Sequence, residues 1–230
     1  MADCRGFCRE TSREGYVNFD NREHAGKLLA DEILRLKLDL DNTIVAAVPR
    51  GGVVVGAQVA KSLGVALTAL VIKKLGAPAN PELAIGAVAS HGPPVLDRWL
   101  IAELGVSGDW LKREVRTKRR EAHVREKFLG VELLGDQFKG RIVIVVDDGL
   151  ATGQTARAAA KILRQARAGE LILAVPCANP STIDLLKDDF DRIVCLVPDP
   201  NLEAVGQYYR DFRPVEDEEA KDLLDRTIDN

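Results

Sequence analysis

The feature that most constrains the fold is a set of short apolar runs that alternate with helical patterns. Residues 142–146 form the clearest run, with five β-branched side chains and no polar interruption. Such a strand is buried on both faces, and helices that connect strands of this kind make the sheet parallel. We therefore predict an α/β fold with a mostly parallel central sheet flanked by helices. The predicted strands are 43–48, 66–72, 142–146, 171–175 and 193–197, and the predicted helices between them are 52–63 and 154–168.

Outside this core, the sequence predicts an opening helix, an insertion and a small hood. Asp20 is a candidate N-cap with Glu23 three residues later, and apolar residues follow at helical spacing. Segments 83–89 and 95–96 indicate a short hairpin, and a charged helix is expected over about 107–129. The expected boundaries are a tail at 1–19 and one domain at 20–230, with the core at about 40–90 and 140–198, the insertion at about 90–135, and the hood at 20–38 and 198–230.

Composition excludes several classes of protein. With 46% hydrophobic and 29% charged residues among 230, the chain can form a packed core, which excludes a disordered or low-complexity protein. No apolar stretch approaches the roughly 20 residues of a membrane helix, and no signal-peptide pattern is visible, so no membrane contact and a cytoplasmic location are expected. Four cysteines are too few for a disulfide scaffold. Cys4 and Cys8 form half of a zinc site at most, and a reduced tail is the simpler interpretation.

The net charge of −3 conceals two regions of opposite sign. Residues 112–127 carry eight Lys and Arg against three Glu, whereas residues 199–230 carry ten acids against four bases. Glutamates are interspersed in the basic run and no aromatic residues alternate with it, so a solvated helix face is the simpler interpretation. Contact with an anionic ligand or with nucleic acid stays open, although nucleic acid is not the expected partner.

The strongest chemical signal lies where a buried strand ends in Asp147 and Asp148. A loop of small residues follows and opens directly into an Ala-rich helix. Ligands of open α/β sheets bind at the carboxyl ends of strands, and a helix N-terminus offers N–H groups to a phosphate. Gly153 permits close backbone approach, and Thr152 and Thr155 add hydroxyl donors. Because carboxylates beside a phosphate need hydroxyls or a cation, the pattern predicts a phosphorylated sugar with a divalent metal.

Other motifs fit this sequence less well. An apolar strand that ends in two aspartates also resembles a Walker B strand, but the nearest partner, 51–58, has Ala57 and Gln58 where Walker A needs Lys and Ser or Thr. Its glycines lack the dinucleotide-binding spacing, and no nucleophile elbow is present. A structural pair of aspartates that cap a helix and a turn is the remaining alternative.

Residues 142–155 resemble the signature of the type I phosphoribosyltransferases, which is a hydrophobic run, two acidic residues and a small loop ending in Thr-Gly-x-Thr. The resemblance implies a Rossmann-like core in which Asp147 and Asp148 bind the ribose hydroxyls of phosphoribosyl pyrophosphate. It also implies the cofactor Mg²⁺, which both aspartates would contact indirectly, through ligand or water. The residues implied to bind the 5′-phosphate are Ala151, Thr152, Gly153, Gln154 and Thr155.

Two further segments match the order of the family's motifs. Arg50, Gly51 and Gly52 lie where a strand turns into a helix and resemble the loop that binds pyrophosphate. Lys73 and Lys74 open a Gly- and Pro-rich segment where the family has a mobile loop that closes over the pyrophosphate, although they could equally be solvated charges. The expected catalytic residues are Lys73, Lys74, Asp147 and Asp148.

The resemblance implies a pentosyltransferase of nucleotide salvage or related nucleoside metabolism. It would transfer ribose 5-phosphate from phosphoribosyl pyrophosphate to a nitrogenous acceptor, with a nucleobase expected, and release pyrophosphate; a homodimer is also expected. Hypoxanthine/guanine enzymes of the family carry an acidic residue at the position of Ala151. The loop of this chain is therefore closer to the adenine-type loops. Residues 80–87 resemble a subgroup without an assigned acceptor. Aromatic residues near the end of the chain could stack a flat base or simply pack, namely Tyr208, Tyr209 and Phe212.

Two other functions stay open. One is a regulator that senses phosphoribosyl pyrophosphate and binds nucleic acid through helix 112–127 without turnover. The other is a phosphotransferase that uses Asp147 for Mg²⁺, which the missing Walker A lysine argues against.

Overall fold

The computed structural model describes residues 18–131 and 135–228 and shows an α/β core with a smaller second sheet. In chain order the strands are β1 (Thr43–Ala47), β2 (Ala66–Ala69), β3 (Lys73–Ala77), β4 (Asn80–Val88), β5 (Val95–Leu96), β6 (Ile142–Val146), β7 (Glu170–Ala178) and β8 (Arg192–Pro198). The helices are α1 (Arg22–Leu34), α2 (Gly51–Leu63), α3 (Arg98–Glu103), α4 (Gly108–Leu129), α5 (Gln154–Gln165), α6 (Pro180–Leu186) and α7 (Asp217–Ile228).

The central sheet has five parallel strands in the order β2-β1-β6-β7-β8, which confirms the predicted α/β class. The predicted strands and connecting helices are present, although β2 ends at Ala69, β7 continues to Ala178 and α5 ends at Gln165. Ala47 pairs with Val146, so β1 and β6 end side by side. This register brings the loops that follow the two strands to the same edge of the sheet.

Helices cover both faces of this sheet because each carries one apolar stripe. On α5 the buried residues Ala156, Ala159, Ala160 and Leu163 follow helical spacing and pack with β6 and β7. Helices α1 and α2 contribute to the other cluster, which also contains residues of α7. The sheet is therefore covered on both faces, as its uninterrupted apolar strands require.

The insertion is organised around an antiparallel sheet in the order β3-β4-β5. The predicted hairpin is confirmed, since Gly86 pairs with Leu96 and Ala87 with Val95. The small sheet begins at Lys73, well before residue 90, where the insertion was expected to start, and the domain boundaries themselves stay a prediction. Helix α4 joins the two parts, because its first half packs on the small sheet and its second half on the main core.

The segment from Lys73 was expected to be a Gly- and Pro-rich loop, and this expectation is wrong. It forms the β3–β4 hairpin, in which the register shifts on both sides of Gly76. A methyl group on Gly76 would lie 2.4 Å from the Pro81 carbonyl oxygen, so the glycine permits the two strands to touch there. The irregular register removes the alternation by which a strand is recognised in sequence.

The two segments that were expected to form a hood contact each other in the structure. Helix α1 is capped by Asn21, whose side chain accepts the His24 N–H at 2.9 Å, so the expected cap Asp20 is wrong by one residue. Phe19 forms a bridge with Tyr209, and the Asp211 N–H donates to the Asp20 carbonyl oxygen at 2.9 Å, which joins the segments on either side. The expected tail lies largely outside the described residues, as do Cys4 and Cys8.

Two observations bear on the remaining expectations from composition. Cys177 and Cys195 are reduced cysteines buried in the core. Within residues 18–131 and 135–228, no helix has the length and apolar character needed to cross a membrane.

Candidate functional site

The loops after β1 and β6 touch each other through glycine. A methyl group on Gly51 would lie 1.9 Å from Asp148 Oδ2, and one on Gly52 would lie 2.8 Å from the Val146 carbonyl oxygen. Real Cβ atoms keep at least 3.0 Å from such neighbours, so both positions require glycine. The peptide bond between Pro49 and Arg50 is cis. The structure thus brings the expected pyrophosphate loop against the expected ribose-binding carboxylates.

Asp147 and Asp148 occupy different surroundings at the end of β6. Asp147 is half-buried, and its Oδ1 accepts the N–H of Asp148 at 2.9 Å. Burial and then the adjacent Asp148 carboxylate raise the pKa of Asp147 well above its ordinary value. Asp148 instead accepts a charge-assisted hydrogen bond from Arg22 Nε at 2.8 Å. Two neighbouring carboxyl groups therefore differ in charge environment.

The loop between β6 and α5 is held by contacts with its neighbours. Gly153 has a φ of +68°, and a methyl group there would lie 2.8 Å from Thr182 Cγ2, so only glycine suits the position. Thr182 Oγ1 donates to the Ala151 carbonyl oxygen at 3.0 Å. The side chains of Thr152 and Thr155 are exposed, and α5 begins at Gln154. The first N–H groups of α5 lack partners inside the helix and are available to an anion.

The expected cationic residues are placed less closely around the carboxylates. Arg50 is half exposed and lies 3.8 Å from a Glu216 oxygen and 3.9 Å from an Asp217 oxygen. Lys74 Nζ pairs with Glu82 at 3.0 Å on the small sheet. Lys73 is half-buried on the same strand, and the hydrogen bonds of Lys74 go to Glu82, on the neighbouring strand β4.

Sequence reasoning missed Arg22, the residue that holds Asp148. Arg22 Nη1 donates to the Arg213 carbonyl oxygen at 2.9 Å, and its Cζ lies 3.8 Å from the centre of the Phe212 ring. Arg22 precedes Ala25 by about one helical turn on the buried face of α1. Its position in the apolar pattern of the helix could therefore have indicated that it is buried. A buried arginine needs an anionic partner, and that requirement is the available signal.

Two tyrosines of the hood are buried instead of presented to a ligand. Tyr208 donates its hydroxyl to Asp199 at 2.7 Å, and Tyr209 donates its hydroxyl to the Asp148 carbonyl oxygen at 2.6 Å. Burial raises the pKa of Tyr209, so its hydroxyl stays a donor. Their positions favour the packing interpretation of the aromatic cluster, whereas Phe212 remains half-buried against Arg22.

The carboxylates do not form a metal cage of their own. Among the described residues, no three His, Cys, Asp or Glu side chains come close enough to hold an ion together. Asp147 and Asp148 supply two carboxylates, and Asp148 is already paired with Arg22. This donor set suits a cation that arrives with the oxygens of a ligand and touches the aspartates through that ligand or through water.

The site is formed by the loops that follow β1 and β6. Two clefts of about 390 and 150 Å³ in the described structure lie along the second half of α5, away from Asp147 and Asp148. Backbone N–H groups and a few charged side chains therefore define the site, which suits a small, highly charged ligand.

Comparison with known proteins agrees with this geometry. Residues 15–213 match the model of the phosphoribosyl transferase domain. The chain is 37% identical over 213 residues, 90% of its length, to a protein from two strains of Mycobacterium tuberculosis named "Putative phosphoribosyl transferase". It spans 46% of that protein, or about half the length of the curated relatives it matches. The crystal structure of TT1426 from Thermus thermophilus is similar with a TM-score of 0.80 and 37% identity, over 92% of this chain and 99% of that one. The chain therefore belongs to the phosphoribosyl transferase domain family, a family of transferases.

Proposed function

We propose that the protein transfers ribose 5-phosphate from phosphoribosyl pyrophosphate to a nitrogenous acceptor and releases pyrophosphate. The observation that carries the proposal is the contact of the Gly51–Gly52 turn with Asp147 and Asp148. A donor with a ribose between two phosphate groups needs a carboxylate pair between two anion-binding loops. This proposal is supported by the start of α2 at Gly51, against Asp148, and by the start of α5 at Gln154, six residues after Asp148.

Each loop would hold one part of the donor. The carboxylates of Asp147 and Asp148 would accept hydrogen bonds from the ribose hydroxyls in addition to the donors they already have, Arg22 for Asp148 and the Asp148 N–H for Asp147. The N–H groups of residues 151–155 and the hydroxyls of Thr152 and Thr155 would bind the 5′-phosphate. Bound Mg²⁺ would supply charge that neutralises the diphosphate. The chain supplies positioning and stabilisation of the departing pyrophosphate and needs no nucleophile of its own.

Arg50 is suited to exchange its present partners for pyrophosphate. Its contacts with Glu216 and Asp217 are long, at 3.8 and 3.9 Å, and the guanidinium is half exposed. Exposed pairs of this kind contribute at most about 1 kcal/mol. A diphosphate that offers bidentate oxygens would replace them readily. Lys73 or Lys74 would approach the leaving group only if the β3–β4 hairpin moves toward it, and this role stays a proposal.

The finer parts of the proposal rest on the family resemblance. They are a nucleobase acceptor in nucleotide salvage, dependence on Mg²⁺, a homodimer and a cytoplasmic location. The absence of an acidic residue at Ala151 favours a base other than hypoxanthine or guanine.

The decisive experiment is calorimetric titration with phosphoribosyl pyrophosphate and Mg²⁺, followed by a screen of purine, pyrimidine and pyridine bases for pyrophosphate release. We expect wild type to bind and Asp148→Asn to bind at least tenfold more weakly. Asp191→Asn is the matched control, because Asp191 pairs with Arg164 at 2.8 Å near the opposite end of the strands. Absence of binding by wild type, or equal binding by Asp148→Asn, would overturn the proposal.

A second candidate is the regulator that binds nucleic acid through α4, and one observation favours keeping it. Five of the six exposed basic residues of α4 recur every three or four positions, so they share one face, whereas Glu126 is buried and Glu114 and Glu121 lie on another side. Interspersed glutamates favoured a merely solvated face, but the helix separates them from the basic residues. The residues of this basic face are Arg113, Arg116, Arg120, His123 and Lys127.

Salt dependence tests this candidate. If four charges of the basic face meet phosphates, the affinity for a fluorescent single-stranded RNA should fall with a log–log salt slope of about −3. The double variant Arg116→Gln/Arg120→Gln should reduce that slope by about half, whereas Lys37→Gln, outside the face, should leave it unchanged. RNA affinity that is absent in low salt, or equal in the double variant, rejects this candidate.

A further inference from the structure

Arg22 links the hood to the carboxylate pair, and nothing in the phosphoribosyl transferase motif accounts for it. We propose that Arg22 is a positioning residue for the donor: it fixes the orientation of Asp148 and supplies, from within the chain, a positive charge beside the phosphate-binding loops. This inference rests on the proposed function, since it concerns how the same site accepts phosphoribosyl pyrophosphate.

Three groups immobilise the Arg22 guanidinium, one at the end of β6 and two from the consecutive residues Phe212 and Arg213. Nε donates to Asp148 Oδ2 at 2.8 Å, Nη1 donates to the Arg213 carbonyl oxygen at 2.9 Å, and the Phe212 ring covers Cζ at 3.8 Å. The Arg22 side chain is only 10% exposed and that of Asp148 only 18%. A planar guanidinium that is stacked on one face and bonded along its edge has little freedom to turn. It therefore holds one oxygen of Asp148 in a defined place.

The same carboxylate oxygen is confined from a second direction. Gly51 approaches Asp148 Oδ2 so closely that a methyl group on Gly51 would lie 1.9 Å from this oxygen and 2.8 Å from Arg22 Nε. Arg22 and the Gly51 turn thus enclose Oδ2 together, which leaves Oδ1 as the acceptor for a ribose hydroxyl. Tyr209 holds the backbone of the same residue by donating to the Asp148 carbonyl oxygen. Both hood segments therefore act on Asp148.

The charge of Arg22 matters as much as its geometry. Asp147 and Asp148 together would carry −2 next to two loops that must accept phosphate groups, and Arg22 reduces this local sum to −1. Without Arg22 the ligand-borne cation would have to offset the whole repulsion. Loss of Arg22 should therefore raise the Mg²⁺ concentration needed for donor binding, an effect that a purely structural ion pair elsewhere would not produce.

The experiment measures the dissociation constant of phosphoribosyl pyrophosphate across a series of Mg²⁺ concentrations, by calorimetry, with no acceptor present. We expect Arg22→Met to weaken binding at least tenfold and to shift the Mg²⁺ dependence to higher concentration. Arg22→Lys should recover part of the affinity, because it restores the charge without the fork. Arg35→Met is the matched control, since Arg35 pairs with the buried Glu32 at 2.9 Å just beyond the other end of α1.

A double-mutant cycle assigns the effect to Asp148. In the Asp148→Asn background, Arg22→Met should cause a smaller further loss than in wild type, because only the contribution of the Arg22 charge remains there. Unchanged affinity and Mg²⁺ dependence in Arg22→Met, or an equal loss with and without Asp148, would overturn the inference. Failure of wild type to bind the donor would instead refute the proposed function. Circular dichroism monitors folding, and if Arg22→Met does not fold, Arg22→Lys is compared in both backgrounds by the same criteria.

Discussion

The substitution Gly51→Ala tests whether the two loops of the site touch as described. The added methyl group would lie 1.9 Å from Asp148 Oδ2, more than 1 Å inside the 3.0 Å that real Cβ atoms keep. Because Asp148 Oδ2 also accepts the hydrogen bond from Arg22, a carboxylate that moves away from the methyl group should weaken that ion pair. Overpacking and a weakened, largely buried ion pair together should cost about 3 kcal/mol. In a chain of this length, that corresponds to a decrease in Tm of about 6–12 °C.

Differential scanning calorimetry measures the decrease, and titration with phosphoribosyl pyrophosphate should show at least tenfold weaker binding as Asp148 shifts. Gly108→Ala is the matched control, since a methyl group on Gly108 at the start of α4 meets nothing within 4 Å. That variant should be as stable as wild type or more stable by up to about 1 kcal/mol. A Gly51→Ala protein that melts within about 1 °C of wild type would refute the close contact of the loops.

Three further predictions concern the same site. Gly153→Ala should lower stability by about 1–3 kcal/mol in urea unfolding, because it forces alanine to a φ of +68° and a methyl group to 2.8 Å from Thr182 Cγ2. Tyr209→Phe should cost about 1–2 kcal/mol by the same assay, since it leaves the Asp148 carbonyl oxygen without its phenol donor. The raised pKa of Asp147 means that the folded chain holds this proton more tightly than the unfolded chain, so ionisation destabilises the fold as pH rises. Asp147→Asn should therefore be more stable than wild type at pH 7. In unfolding experiments at a series of pH values, the stability difference between Asp147→Asn and wild type should decrease as the pH falls below the raised pKa, and should vanish below the ordinary pKa of an aspartate. Equal stability of the two proteins at pH 7 would contradict this.

The central sheet could be predicted from sequence because its signal is local. Strand β6 is apolar at every position, and its bounds were predicted to the residue. The start of α5 at Gln154 was predicted to the residue, whereas its end was predicted at 168 and lies at Gln165, since nothing in the sequence around Gln165 marks the end of its apolar pattern. Strand β3 could not be predicted, because its register shifts at Gly76 and its pairing partner β4 contains Pro81. Where pairing is irregular, the periodicity on which sequence reasoning depends is absent.

In the candidate site, too, the residues with a local signal could be predicted and those without one could not. The motif residues at Asp147 and Gly153 are contiguous with strand β6, so their positions in the sequence are enough to group them. Arg22 lies 126 positions from Asp148, and its other contact, the Arg213 carbonyl oxygen, lies 191 positions away.

A contact between residues so far apart in the sequence is not part of any motif, but the expected burial of Arg22 indicates it. An arginine on the apolar face of an amphipathic helix must find an anion, and in this chain the anions that need a cation are those at the end of β6. The negative charge of the carboxylate pair and the buried positive charge of Arg22 on α1 thus stabilise each other. Their combination explains why residues from both hood segments meet at Asp148.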